Sequence, residues 1–175
     1  MNVFGLNNDE IIMNIDGKDI EMKYPICYGK VYDKWLVSRC GKVWSLTNNR
    51  LLRGYRKLHY KREQSLQNID YQIIVEEDWW GDGSGNKHCN RKHHQRHISA
   101  HKMVMDTFAP LYDNPPEGIT WEEWEIARDL TSVYNHISKT VVIDHIDDDP
   151  TNNHLDNLRR VTSWDNNNIR KLKGI

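Results

Sequence analysis

The chain has 175 residues, 38% of them hydrophobic and 28% charged, with a formal net charge of −1 at pH 7. This length suits one domain or a small catalytic unit with an appended module. The sequence has no apolar run of the roughly 18–20 residues that span a bilayer, no N-terminal secretion signal and no CxxC pair among its three cysteines, so we expect a cytoplasmic protein with free thiols.

Short strands are predicted in the N-terminal half. The segment Val31–Leu46 contains two β-rich runs that flank a turn at Cys40-Gly41. The run Tyr71–Val75 predicts a further strand, followed by a glycine-rich hairpin tip at 81–85 and a return arm at His94–Ser99.

A basic segment lies between these strands. From Arg39 to Arg62 the chain has eight basic residues and no acidic one, and aromatic side chains interleave the charges. The acidic residues are concentrated from Asp113 to Asp149, so a protein with a net charge near zero can still have a positive face. Phosphate backbones are the commonest partner of such a face, and a solvated surface is the alternative. The candidate nucleic-acid contacts are Arg50, Arg53, Arg56, Lys57, Lys61, Arg62 and, in the return arm, Arg96.

Two helices are predicted next. Ser99 is a suitable N-cap for a helix over Ala100–Phe108, and Pro110 would prevent its continuation. A second helix is predicted over 120–138, where Thr120 and Glu123 form a capping-box pattern. Its apolar residues recur at helical spacing, and we interpret this stripe as a packing face rather than a base-stacking platform. The stripe consists of Trp121, Trp124, Leu130, Val133 and Ile137.

The stretch Val141–Lys171 has the residues that point to chemistry. An apolar strand ends in Asp144 and His145, and a loop rich in Asp and Asn, a second strand and a polar helix follow. Carboxylate and amide oxygens, here from Asp144 and Asn166, are ligands that a hard cation such as Mg²⁺ prefers. Because neighbouring side chains of a strand diverge, Asp144 can hold the metal while the imidazole of His145 deprotonates an attacking water.

The loop between the two strands contains a further candidate. The amide of Asn157 can bridge backbone groups, set the loop geometry and so orient His145 without touching the metal. The three consecutive carboxylates that begin at Asp147 are interpreted mainly as solvated loop residues, with Asp147 as a candidate for a supporting contact.

A second group of residues competes as a metal site. Cys89, His93, His97 and His101 recur every four residues and would form a column on one continuous helix. The predicted return arm and the helix start after Ser99 break that column, so a basic hairpin arm is favoured over structural zinc.

Parts of the chain resemble the HNH endonuclease family. AHKMVMDTF is similar to the family's helix with a histidine, here His101, and VVIDHIDDDPTNNHLDNLRRVT followed by WDNNN resembles its longer motif. The shorter YDKWLVSRCGKVWSLTNNRLL resembles the NUMOD-type DNA-binding element that often precedes such nuclease domains. Asp148 replaces a frequent glycine of the motif, which alters the turn but not the ligands.

The resemblance implies an α+β fold with a ββα-metal (His-Me finger) nuclease core and an N-terminal β-rich DNA-binding extension. It implies that Asp144 and Asn166 are metal ligands, that His145 is the general base and that Asn157 is the structural asparagine. By the same resemblance His101 supports the site, and Arg159 contacts the phosphate or the loop.

We therefore divide the chain into a basic DNA-binding element at 1–68 and a nuclease domain at 69–175, with its core at 94–110 and 140–172 and a helical insertion at 118–139. The expected function is hydrolysis of double-stranded DNA by a phage-type homing or nicking enzyme, acting as a monomer or dimer. One divalent cation is expected, Mg²⁺ with Mn²⁺ as a substitute, and no small-molecule cofactor. The alternatives are a non-catalytic DNA-binding protein on the same fold and a restriction or structure-specific nuclease.

Overall fold

The computed structural model describes residues 10–56, 69–76 and 93–173. The N-terminal part of this description contains short strands, five of which form an antiparallel sheet in the order first, second, fifth, sixth and seventh, while the third pairs with the fourth. The strands are β1 (Ile11–Ile15), β2 (Lys18–Lys23), β3 (Ile26–Cys27), β4 (Lys30–Val31), β5 (Trp35–Ser38), β6 (Val43–Ser45) and β7 (Arg50–Leu51).

The hairpin β5–β6 confirms the two strands and the turn that were predicted around Cys40-Gly41. Gly41 has φ of +78°, a left-handed conformation that glycine adopts without steric cost. The turn is closed by the Gly41 amide, which donates to the Ser38 carbonyl at 2.9 Å. The Lys42 amide donates to the Ser38 hydroxyl at 3.0 Å, so this tip is a fixed structure.

A second antiparallel sheet has the order β10-β9-β8. It consists of β8 (Tyr55–Arg56), β9 (Ile69–Glu76) and β10 (His93–Ser99). The pairing of His93 with Glu76 confirms the predicted strand and its return arm. The predicted glycine-rich tip at 81–85 lies outside the described residues.

Helix α1 (Ala100–Phe108) begins directly after β10, as predicted. Ser99 occupies the N-cap position, although its side chain makes no capping hydrogen bond. Met103 and Val104 are completely buried, in a cluster that includes Val37 and Val43 of the N-terminal sheet. The same cluster contains Tyr71 and Ile98 of the second sheet and Leu158 further along the chain. Apolar side chains from both sides of the predicted boundary at 68/69 therefore share one core, and the boundary itself stays a prediction.

The predicted single helix at 120–138 is wrong, because the chain forms α2 (Trp121–Asp129) and α3 (Thr131–Thr140). Leu130 between them has an extended backbone, with φ of −88° and ψ of 95°. The N-cap position of α3 is Leu130, so the new helix begins without a side-chain cap. The capping box is confirmed, since Thr120 and Glu123 exchange hydrogen bonds between side chain and backbone.

The apolar stripe is not a continuous packing face, so that interpretation was wrong. Trp124 is fully buried and donates its indole N–H to the Tyr112 carbonyl at 3.0 Å. Trp121 and Leu130, by contrast, are 51% and 53% exposed, and Val133 is exposed as well. A continuous packing face requires one uninterrupted helix, and the break at Leu130 turns the apolar residues of α2 and α3 in different directions.

The C-terminal part is an antiparallel hairpin followed by a helix, as predicted. Strands β11 (Val141–His145) and β12 (Leu158–Thr162) pair in register from Val141 opposite Thr162 to His145 opposite Leu158. Helix α4 (Ser163–Lys173) begins directly after β12 and packs against both strands. Within the described residues, no helix is long and apolar enough to cross a membrane.

Candidate functional site

The end of β11 presents two polar side chains at consecutive positions. His145 is the last residue of the strand and is 8% exposed. Asp144 precedes it, and the side chain of Asp144 is 14% exposed. Because successive residues of a strand point to opposite faces, the carboxylate and the imidazole can act on different groups.

The His145 ring is held by an asparagine that the sequence did not single out. Nε2 of His145 lies 3.3 Å from Oδ1 of Asn153, a contact in which both residues are buried. The Asn153 amide nitrogen donates to the Thr151 carbonyl at 3.0 Å, which directs the amide oxygen to the imidazole. The Nε2 atom of His145 must then carry the proton and donate, because an amide oxygen only accepts. This leaves Nδ1 as the basic nitrogen of the neutral ring.

His101 on α1 contacts the same imidazole from a second side. The two rings meet edge to face, with centroids 5.4 Å apart and planes at 82°. Within the described part of the chain, the buried Nδ1 atom of His101 has no hydrogen-bond partner. Burial lowers the pKa of His101 to about 4, with smaller contributions from His145 and Lys102. His101 is therefore a neutral ring at pH 7, packed against His145 without competing with it for a proton.

Asn157 braces the loop that follows β11. Its amide oxygen accepts from the Asp147 backbone N–H at 3.2 Å, and its amide nitrogen donates to Asp147 Oδ1 at 2.8 Å and to the Asn152 carbonyl at 2.9 Å. Its backbone carbonyl also accepts from Ile146 N–H at 2.9 Å. Asn157 thus ties the loop immediately after His145, while the ring itself contacts Asn153. A catalytic role for Asn157 stays a prediction.

Asp147 organises this loop rather than pointing freely into solvent. Its two carboxylate oxygens accept hydrogen bonds from the side chains of Asn152 and Asn157 and from the backbone N–H of Asp149. These hydrogen bonds hold the pKa of Asp147 below its usual value, with that from Asn152 the largest cause. Asp148, at the position where the resemblance expects glycine, has a left-handed backbone with φ of +61°.

The carboxylate of Asp144 is paired with Arg159. The guanidinium donates to Asp144 Oδ2 from Nε at 3.0 Å and lies 2.9 Å away at Nη2. Through Nη1 it also contacts both carboxylate oxygens of Glu117, at 3.0 and 3.2 Å. Arg159 therefore connects the candidate metal ligand to the segment before α2, a contact with Glu117 that no sequence pattern indicated.

Asn166 carries an unsatisfied amide oxygen. It lies on α4, the helix that packs against β11 and β12. Its Oδ1 atom is buried and has no hydrogen-bond partner among the described residues. A buried polar atom without a partner costs free energy, so such atoms often mark a place where a ligand or ion belongs. An amide oxygen of this kind fits the coordination of a hard cation.

The candidate DNA contacts are only partly described. Arg50 and Arg53 are exposed at the end of the N-terminal sheet. Arg56 lies in β8 and Arg96 lies in β10, and the structure describes only the backbone of these two residues. Lys57, Lys61, Arg62 and Cys89 lie outside the described residues, and their predicted roles stay predictions.

Comparison with known proteins gives one likeness. No protein-family model matches the chain, and no curated protein matches it significantly. The chain is similar to a solved structure described as "DNA binding and cleavage by the HNH homing endonuclease I-HmuI", with 18% identity and a TM-score of 0.48. The match covers 87% of this chain and 60% of that one. The matched part of the chain thus spans about three fifths of the length of that structure.

Proposed function

We propose that this protein is a metal-dependent DNA endonuclease of the HNH kind, in which β11, β12 and α4 form a ββα-metal core. The observation that carries the proposal is the grouping of three features on that hairpin and helix. They are the buried imidazole of His145 with a fixed tautomer, the carboxylate of Asp144 beside it in sequence, and the orphaned amide oxygen of Asn166.

His145 is the general base of the proposed reaction. Its Nε2–H is donated to Asn153, so the lone pair of Nδ1 is available to take the proton of a water that attacks the phosphorus. The proton bound at Nδ1 gives an imidazolium, which the neutral His101 ring beside it does not oppose by charge. Asn157 keeps the loop after His145 in one conformation, so the ring does not have to be ordered during each turnover.

Asp144 and Asn166 are the residues that would hold the cation. Among the described residues no group of three or more His, Cys, Asp or Glu side chains is placed to bind a metal. One carboxylate with one amide oxygen suits Mg²⁺ or Mn²⁺, which complete their coordination with waters and phosphate oxygens. When bound, such an ion neutralises charge on the phosphate and stabilises the leaving 3′ oxygen. The 5′ phosphate product follows from the resemblance to HNH enzymes.

Double-stranded DNA is the proposed substrate, with the basic N-terminal residues as its contacts. Arg50 and Arg53 are exposed on the same part of the chain as the basic segment, so they are available to phosphates. A single site of this kind cuts one strand, and a phage-type nicking or homing enzyme is the fuller proposal. A restriction or structure-specific nuclease would use the same residues, and cleavage mapping on linear, branched and phage DNA separates them.

A second candidate is a DNA-binding protein without catalysis. The observation in its favour is the ion pair of Asp144 with Arg159, because a carboxylate engaged by a guanidinium is a poorer metal ligand. The two candidates differ in whether metal can compete with Arg159 for that carboxylate.

Nicking of supercoiled plasmid with Mg²⁺ or Mn²⁺ tests the proposal. We expect the wild-type protein to nick, and we expect His145→Ala to lose nicking while retaining DNA binding in a gel-shift assay. His136→Ala is the matched control, because His136 is an exposed histidine on α3, outside β11, β12 and α4. Wild-type protein that binds DNA but does not cut with either metal would support the non-catalytic candidate.

A further inference from the structure

We propose that Asn153 is a positioning residue for His145, and that the β5–β6 turn of the N-terminal sheet holds Asn153 in place. This inference rests on the proposed function, in which His145 is the general base. It adds a residue that lies outside the set predicted from the sequence, and it makes the N-terminal sheet part of the catalytic apparatus.

Asn153 contacts the imidazole of His145 through its side-chain amide. Asn153 is only 4% exposed, and its amide has both ends engaged, the oxygen by His145 Nε2 and the nitrogen by the Thr151 carbonyl. Turning the amide over would face its oxygen to the Thr151 carbonyl oxygen, which is repulsive, so the orientation is fixed. A fixed acceptor at Nε2 selects one tautomer and one ring orientation.

The β5–β6 turn packs on this asparagine. The backbone carbonyl of Arg39 accepts a hydrogen bond from Leu155 N–H at 2.8 Å, two residues beyond Asn153. Gly41 in the same turn is buried against the loop, and a Cβ added there would lie 2.9 Å from the Cβ of Asn153. The turn therefore fits against Asn153 only because Gly41 has no side chain.

Another glycine of the same sheet, Gly17, has the same backbone conformation in an open environment. Gly17 in the β1–β2 hairpin has φ of +79°, against +78° for Gly41, and its added Cβ would meet nothing within 4 Å. Alanine at either position carries the same backbone strain, but only Gly41→Ala also collides with Asn153. A comparison of the two variants therefore separates the strain of a left-handed residue from the collision with Asn153.

The Asn153 half of the proposal is tested with Asn153→Ala and Asn153→Asp. We expect Asn153→Ala to lower kcat for plasmid nicking about 10–100-fold, as is usual when an outer residue that orients a functional side chain is lost. KM should stay within about twofold, and Asn153→Asp should lose less of kcat than Asn153→Ala, since it keeps an acceptor for His145 Nε2 although its second oxygen faces the Thr151 carbonyl. Unchanged kcat in Asn153→Ala, or a change confined to KM, would overturn this half.

Nitrogen NMR of His145 gives a readout that does not depend on cleavage. In alkaline buffer the wild-type ring should be the Nε2–H tautomer, and Asn153→Ala should show a mixture of tautomers. A wild-type ring protonated at Nδ1 would overturn the proposal. If the wild-type protein fails to nick DNA, the proposed function fails, whereas the NMR result still decides the contact between Asn153 and His145.

The turn half is tested with Gly41→Ala against Gly17→Ala. Gly41→Ala should lower kcat and disturb the His145 tautomer, while Gly17→Ala leaves both unchanged. Equal effects of the two substitutions would overturn this half. Should Gly41→Ala not fold, hydrogen exchange of the wild-type Leu155 amide decides instead, since docking of the turn protects that amide and exchange at the rate of a free peptide refutes docking.

Discussion

Replacing Asn166 by alanine should stabilise the metal-free protein while abolishing its response to Mg²⁺. The buried Oδ1 atom of Asn166 has no hydrogen-bond partner in the described part of the chain, and an unsatisfied buried acceptor costs about 1–3 kcal/mol. Alanine removes that atom, and it also has the higher intrinsic helix propensity. We therefore expect the free energy of unfolding in EDTA to rise by about 1 kcal/mol, or roughly 2–4 °C in Tm for a chain of this size.

The response to metal should change in the opposite direction. A ligand that binds only the folded state at 100 times its Kd adds about 2.7 kcal/mol of stability. For the wild-type protein this corresponds to a rise of roughly 5–11 °C in Tm on adding saturating Mg²⁺. Asn166→Ala should show almost none of that rise, because a cation would keep only the Asp144 carboxylate as a protein ligand.

Thermal unfolding followed by circular dichroism, first in EDTA and then with Mg²⁺, measures both quantities. Asn157→Ala is the matched control, because the amide of Asn157 is fully engaged by Asp147 and Asn152. Loss of those hydrogen bonds should destabilise the metal-free control by about 1–3 kcal/mol. Asn166→Ala that unfolds well below the wild type in EDTA, or that keeps the full Mg²⁺ shift, would refute the reasoning.

Three further predictions concern charge, pH and capping. Arg159→Ala should destabilise the metal-free protein by about 1–3 kcal/mol in urea denaturation, because it leaves the half-buried carboxylate of Asp144 without its partner. Mg²⁺ should restore part of this loss, and an equal loss with and without Mg²⁺ would contradict the prediction. The pKa of His101 is lowered from 6.5 to about 4 in the folded protein, so the unfolded chain binds a proton first as the pH falls. The neutral His101 ring therefore contributes its full stability above pH 6.5, and about 2–3 kcal/mol of it is lost as the pH falls to about 4. The difference in unfolding free energy between the wild type and His101→Leu should follow this pH dependence, and a difference that does not change with pH would argue against it. Thr120→Ala removes the capping box of α2 and should cost about 1 kcal/mol in thermal unfolding, whereas Ser132→Ala within α3 should cost less.

The sequence predicted the elements around the candidate site well because their signals are local. The apolar run that leads into Asp144, the N-cap position of Ser99 and the turn at Gly41 each depend on a few neighbouring residues. Periodicity failed at Leu130, since a helix break inside a regular apolar spacing leaves the spacing almost unchanged.

The contacts within the site were less accessible to sequence reasoning. Asn153 stands beside Asn152 in an Asn-rich loop, and nothing in the pattern tells which of the two faces His145. The partners of Arg159 and of the Gly41 turn come from segments far along the chain, so they depend on tertiary packing. An adjacent pair of asparagines after an Asp-His strand end is the one signal that could have directed attention to Asn153.

The shared apolar core has a practical consequence for protein engineering. Val37 and Val43 of the N-terminal sheet lie in one buried cluster with Met103 and Val104 of α1, so the sheet and the helix depend on each other for burial. A chimaera that joins a foreign recognition module at residue 69 would expose the inner face of α1 to water and invite aggregation. Under the proposed function, a change of DNA affinity is better attempted by altering exposed side chains such as Arg50 and Arg53 on an intact scaffold.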